Sequence, residues 1–328
     1  MHIPDGYLSP RTCIALYAGM ASVWYLASRK LERTLKFKQM PLLSLGAAFT
    51  FVVMMFNIPI PGGSTGHIVG SSIVAIVLGP WAGVVAISLA LTLQALFFGD
   101  GGLTTLGANC FNMAFLMSFT GYYAWRAVNI GGGGRTRNFI ASAVAGYISV
   151  NVAALAVAFE LGVQPALSHD ALGRPLYAPY PLGVTMPAMM FSHLLFFGPV
   201  EAMGTALVVS YLYGAEKEVL KRPEGRGLKP LWAVLILLIV LTPLGLIATG
   251  TPWGEWGKGE LRGLLGYVPE GMESLGEAWQ GILPGYGIGG GGGSGVFGSA
   301  FGYILSAAVG SALVVFTVYM LGRFWHRR

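Results

Sequence analysis

Read for apolar and polar positions, the chain divides into long apolar runs separated by short polar or glycine-rich segments. Runs long enough to span, or nearly span, a bilayer occupy roughly residues 12–28, 42–58, 68–98, 108–128, 138–161, 185–213, 231–249 and 299–321. The third, about 30 residues long, exceeds one comfortable span. Gly79-Pro80 lies in its middle, and that pair breaks a helix. Two helices are therefore expected, over 68–78 and 81–98, and the predicted total is nine.

Composition turns these helices into membrane helices. The 328 residues are 54% hydrophobic and only 10% charged, against about 25% charged for a soluble protein. The expected fold is an all-α polytopic membrane protein, and its many glycines suit close helix packing in lipid. Lys and Arg concentrate at 29–38, 126–137, 217–229 and 323–328, which together hold 16 of the 20 basic residues. The positive-inside rule makes these segments cytoplasmic. The N-terminus is then outside and the C-terminus inside, which nine spans satisfy and eight do not. The net charge of +6 follows this topology and gives no reason to expect nucleic acid. The first 28 residues lack a basic stretch before the apolar run, so they are not expected to be removed as a signal peptide.

The same charge pattern divides the chain. A seven-helix part is expected over 1–213, a polar cytoplasmic linker over 214–230, and a two-helix part over 231–328 with an external loop at 250–298. The glycine run 289–293 in that loop reads as a flexible tether. Trp253, Trp256, Tyr267 and Trp279 suit a membrane interface. Cys13 and Cys110 lie in apolar segments, form no disulfide framework, and are expected to pack.

The opening Met1-His2-Ile3-Pro4-Asp5-Gly6 brings in chemistry. It sets an imidazole beside a free α-amine with one backbone amide between them. Should that amide deprotonate, the amine, the amide nitrogen and the imidazole close two fused chelate rings in one plane. One more imidazole completes a tetragonal four-nitrogen site of the kind Ni(II) or Cu(II) prefers. The best candidate is His67, which ends Ile58-Pro59-Ile60-Pro61-Gly62-Gly63-Ser64-Thr65-Gly66-His67, a stretch too rich in Gly and Pro to be helical. The alternatives are an exposed His2 on a frayed terminus and a plain tight turn at 58–67. Met1, His2, His67 and the loop Phe98-Gly99-Asp100-Gly101-Gly102 all fall on the external side of the predicted topology.

Asp5, Asp100, Asn109 and Asn112 are candidates to orient a ligating histidine through its other ring nitrogen; Asp5 or Asp100 equally suits a turn cap. His193 and Glu201, about two turns apart on the seventh span, are intramembrane ionisable residues and hence functional candidates. They are expected to pair with each other or to meet a partner subunit. Metal ligation by either is disfavoured, because both are placed toward the cytoplasmic half. His169, in an external loop, and His326, in the cytoplasmic tail, call for no role. The chain has no G-x-x-x-x-G-K-[ST], since the glycines at 131–134 are not followed by lysine. Nor does it show H-E-x-x-H, a Ser/His/Asp arrangement or an acidic pair. Uphill movement of an ion would draw its energy from another chain.

M-H-I-P-D-G-Y-L-S-P at the start, with P-G-G-S-T-G-H some sixty residues on, resembles the CbiM/NikM family. These are the substrate-binding membrane subunits (S components) of cobalt/nickel energy-coupling-factor (ECF) transporters. The resemblance covers about residues 1–213. It implies an N-terminal segment folded into the helical core and a metal held by the Met1 amine, the His2 amide nitrogen, the His2 imidazole and the His67 imidazole. Ni(II) or Co(II) would be the transported substrate, and a membrane coupling (T) subunit and cytoplasmic ATPase subunits the partners, in a prokaryotic inner or plasma membrane. Pro269-Glu270-Gly271-Met272-Glu273 is similar to the P-D-G-L-E signature of the family's small accessory (CbiN/PDGLE-like) component, differing at Glu270 and Met272. The expected chain is thus a fused capture and accessory protein, and not an enzyme.

Two other readings stay open. The first is a metal-dependent intramembrane enzyme using the bound ion as a Lewis acid. Against it, no general base or nucleophile accompanies the metal motifs, and a planar four-nitrogen site leaves no equatorial position for substrate. The second is a membrane metal sensor. Four coplanar nitrogens favour low-spin Ni(II), yet the family carries both metals.

Overall fold

The computed structural model describes residues 1–219, 228–276, 278–287 and 296–325. The glycine run 289–293, His326 and the middle of the polar linker lie outside the described residues. Each predicted apolar run is helical. The chain runs through α1 (Pro10–Thr34), α2 (Met40–Met54), a hairpin of β1 (Ile58–Ile60) and β2 (Ser64–Gly66), α3 (Ser71–Leu78) and α4 (Pro80–Leu93). It continues through α5 (Leu106–Asn109), α6 (Met117–Val128), α7 (Arg135–Gly162), α8 (Gln164–Leu167), α9 (Leu182–Ser192) and α10 (Gly198–Val219). After the linker come α11 (Lys229–Leu241), α12 (Lys258–Leu265), α13 (Glu270–Leu275) and α14 (Val296–Trp325).

Local chemistry sets these boundaries. Pro10 starts α1 at the position where a missing N–H costs nothing. Gly79, at φ 94°, ends α3, and Pro80 opens α4, so the third apolar run is two helices as its Gly-Pro predicts. At eight residues, α3 is about 12 Å long, too short to cross a bilayer alone. Stretch 58–66, non-helical as expected, forms an antiparallel hairpin with Ile58 opposite Gly66 and Ile60 opposite Ser64.

Among the described residues, six helical stretches are long and apolar enough to cross a membrane: Phe37–Met54, Pro80–Phe98, Arg135–Leu167, Leu182–Gly214, Lys229–Ile247 and Phe297–Trp325. The protein is a multi-pass membrane protein. Within the bundle, α7 packs along α6, α9 and α10, while α14 and α11 lie against α2. The first ten residues are threaded into this bundle: Ile3, Tyr7 and Leu8 are each 1% exposed. Three π turns interrupt the helices, Gln94–Phe98 after α4, Cys110–Leu116 after α5 and His193–Phe197 after α9. Such turns recur at functional sites.

The described part of the 250–298 loop is no loose tether. It folds back over the start of the chain. Gly271 N–H donates to the Leu176 carbonyl, Ile282 and Leu283 N–H both donate to the Phe97 carbonyl, and Thr65 Oγ1 donates to the Gly250 carbonyl. Gly6, at φ +83°, crosses Gly271 so closely that a Cβ would overlap the Gly271 carbonyl. Trp253 and Trp256 are partly buried. Their ring centroids are 5.2 Å apart, and both rings pack against Tyr180. Cys13 and Cys110 are free and buried, as expected.

Candidate metal centre

The structure brings His2 and His67 together from 65 residues apart. His2 Nδ1 lies 3.2 Å from His67 Nε2, with ring centroids 5.0 Å apart and planes inclined by 36°. Both side chains are buried, which rules out a frayed terminus. Two nitrogens each about 2.0–2.1 Å from a metal and cis to one another stand roughly 3 Å apart, close to the spacing seen. His2 Nδ1 is also the nitrogen that closes a six-membered ring with its own amide. Among the described residues no three His, Cys, Asp or Glu side chains converge on a metal-holding point.

Protonation follows from the partners. His67 Nδ1–H donates to the Ile68 carbonyl at 3.1 Å, leaving Nε2 with its lone pair toward His2. Burial, then the charge of the N-terminal amine and His2, push the His67 imidazole well below the ordinary 6.5, so it is neutral. His2 Nδ1 also lies 3.3 Å from Asp100 Oδ1, and its proton is the one a metal ion would displace. His2 Nε2 is buried without a hydrogen-bond partner. The Met1 α-amine is paired with Glu255 Oε1 at 3.0 Å.

The surrounding residues sort by contact. Asn109, at the π turn after α5, accepts from Ile3 N–H at 2.8 Å and donates to the Ile3 carbonyl at 3.1 Å. It thus fixes the residue next to His2. Asp100 meets His2 directly, but at Nδ1 and not at the other ring nitrogen where an orienting group was expected, and Tyr286 OH donates to its other oxygen. Asp5 is the turn cap of its alternative reading, accepting from Leu103 N–H at 3.1 Å and Thr104 N–H at 2.7 Å. Asn112 does not reach the site; it donates to Glu160 at 2.7 Å.

His193 and Glu201 do not pair with each other; each finds its partners close to His67. His193 lines a cavity of about 20 Å³ together with Met1, His67, Trp253 and Glu255, and its Nδ1–H is held by the Met189 carbonyl at 2.8 Å. Glu201 accepts from Val69 N–H at 2.8 Å and Gly70 N–H at 2.9 Å. Glu255 and Tyr286 were missed altogether. Nothing local in Trp253-Gly254-Glu255-Trp256 announces a carboxylate aimed at residue 1.

Residues 2–219 match the family described as the cobalt uptake substrate-specific transmembrane region, and 229–327 match the PDGLE domain. The fused nickel transport protein NikMN of Rhodobacter capsulatus is 47% identical over 96% of this chain and 95% of its own length. The probable fused nickel transport protein LarMN of Lactiplantibacillus plantarum is 41% identical over 98% and 97%. A crystal structure described as a transition metal transporter superposes with a TM-score of 0.62 at 47% identity, covering 70% of this chain and all of that one. A chain matched by the first family over residues 2–219 and by the second over 229–327, with fused nickel transport proteins among its relatives, belongs to the CbiM family of cobalt-uptake membrane proteins, with a PDGLE domain fused behind it.

Proposed function

We propose that this chain captures Ni(II) or Co(II) on the external side as the substrate-binding subunit of an ATP-driven ECF uptake transporter. The ligands are the Met1 amine, the His2 amide nitrogen, His2 Nδ1 and His67 Nε2. The observation that carries this reading is the 3.2 Å approach of His2 Nδ1 to His67 Nε2, with the Met1 amine buried beside them. Residues 1–213 form the capture core and 231–328 the accessory module, joined by the 214–230 linker. The N-terminus is outside and the C-terminus inside, which places the site and its covering loop on the side of supply. A membrane coupling subunit and cytoplasmic ATPase subunits provide the energy.

Each chelating nitrogen must lose or lack a proton before it can bind, so capture weakens in acid. Copper would also bind four such nitrogens tightly, so selection in the cell rests on more than the ligand set. The test is metal analysis of the purified protein, with Ni(II) and Co(II) in competition and His2→Ala and His67→Ala alongside. Removing a ligand should cost more than about 100-fold in affinity, beyond the range for groups that only orient ligands. Metal uptake by cells with and without the partner subunits separates transport from sensing. An ion bound equally well by both variants defeats the ligand assignment.

A further inference from the structure

α9, the π turn His193–Phe197 and α10 make one continuous helical rod. Phe197 and Glu201 are one turn apart on it, on the same face, and both meet the chain around His67. Glu201 is 2% exposed and uses one oxygen on Val69 N–H and the other on Gly70 N–H. These are free donors at the start of α3, where a carboxylate is favoured by hydrogen bonding and by the helix dipole. On the other flank, the Phe197 ring lies against Gly66, where a Cβ would stand 2.5 Å from Phe197 Cζ. Residues 66, 69 and 70 are therefore tied to one helix, and His67 hangs between the ties.

A plain helix cap does not need this. A cap side chain at position 70 would serve the N–H groups two and three residues on, not those of Val69 and Gly70, and the acceptor for Gly70 N–H comes from 131 residues away. Burying a carboxylate in an apolar span is costly, and among the described residues no cation pairs with Glu201. The cost is sensible where position matters. We infer that Glu201 and Phe197 are positioning residues for the captured ion: they clamp the backbone on both sides of His67 and so set where His67 Nε2 stands relative to residues 1 and 2. The inference rests on the ligand set proposed above.

The test uses the full chain with its native start, in detergent, and Ni(II) as the probe. Affinity, release of the ion to a chelator, and the visible band of nitrogen-ligated Ni(II) are recorded for Glu201→Gln, Gly66→Ala, Phe197→Ala, the double Gly66→Ala/Phe197→Ala variant, and His67→Ala as control. Glu201→Gln should bind about 10–100-fold more weakly, the range for groups that orient ligands, with faster release and a shifted band while the protein stays folded. Gly66→Ala should weaken binding in the same way. Adding Phe197→Ala to it should recover binding, because the overlapping ring is gone, giving a large coupling in the cycle. A purely structural cap would lower thermal stability and leave release and band unchanged. If Glu201→Gln and Gly66→Ala bind and release as the native protein does while His67→Ala loses the ion, the clamp is wrong and the ligand set stands. If His67→Ala binds normally, the ligand set itself is wrong. Should Glu201→Gln fail to fold, the Gly66/Phe197 cycle decides alone.

Discussion

Glu255 Oε1 lies 3.0 Å from the Met1 α-amine, inside the bundle and 254 positions away in the chain. If the Met1 amine is a ligand, Glu255 and the metal ion compete for the same nitrogen. Glu255→Gln removes one side of that ion pair, so Ni(II) should load faster and bind more tightly. Stopped-flow loading of the two proteins compares them directly. Slower loading and weaker binding in the variant would mean that Glu255 helps to hold the ion instead.

An added residue before Met1 turns the amine into a peptide nitrogen and pushes atoms into a packed core, since Met1 itself is only 8% exposed. An N-terminally extended protein should lose Ni(II) binding by more than about 100-fold with His2 and His67 intact. Full affinity in the extended protein, measured beside the native start, would remove the amine from the ligand set.

A chain ending near residue 225 keeps all proposed ligands and loses the covering loop. It should still bind metal at equilibrium and exchange it faster, because Glu255, Trp253 and Gly271 no longer close over residues 1–6. Isotope exchange of bound nickel reads this. Loss of equilibrium binding would assign ligands to the loop.

Tyr286 gives the loop a pH limit. Its φ of 63° is unusual for an aromatic residue, and its ring stacks on Phe98 at 4.8 Å. Burial, then the charge of Asp100, raises its phenol well above the ordinary 10.0. The folded state keeps a proton that the unfolded chain releases. Its contribution is thus complete below pH 10.0 and is lost as pH climbs toward the folded value. Tyr286→Phe should lower stability by about 1.5–3 kcal/mol, as for a hydrogen bond to a charged group, and flatten that alkaline decline. Unfolding midpoints of both proteins between about pH 8 and pH 11 test it.

The helices were legible because their signals are local, an apolar run declaring its helix; the burial of His2 against His67 was legible because a histidine beside a terminus asks for a second imidazole. His67 was legible because it ends a stretch that helices cannot use. The covering residues were not. Tyr286 reaches Asp100 across 186 positions, and no periodicity in a glycine-rich loop says where it will land. Glu201 could be singled out as a buried acid, but its partners are the main-chain N–H groups of Val69 and Gly70, which look alike at every position of a sequence. Reading it as a mate for His193 followed from side-chain types alone.

The π turn at His193–Phe197 also constrains how such a chain can change. A π turn holds one residue more than the α-helix it interrupts, so it rotates everything after it by about 100° relative to uninterrupted winding. Deleting any single residue from 193–197 would leave the span as apolar as before and would remove that extra residue, so the span could close as plain α-helix with Glu201 still facing Val69. Gln94–Phe98 sets the bearing of Asp100 in the same manner. In these segments the number of residues carries information that their hydrophobicity does not: a one-residue gap takes the π turn, and the places of His193 and Phe197 in it, while the helix beyond keeps its bearing.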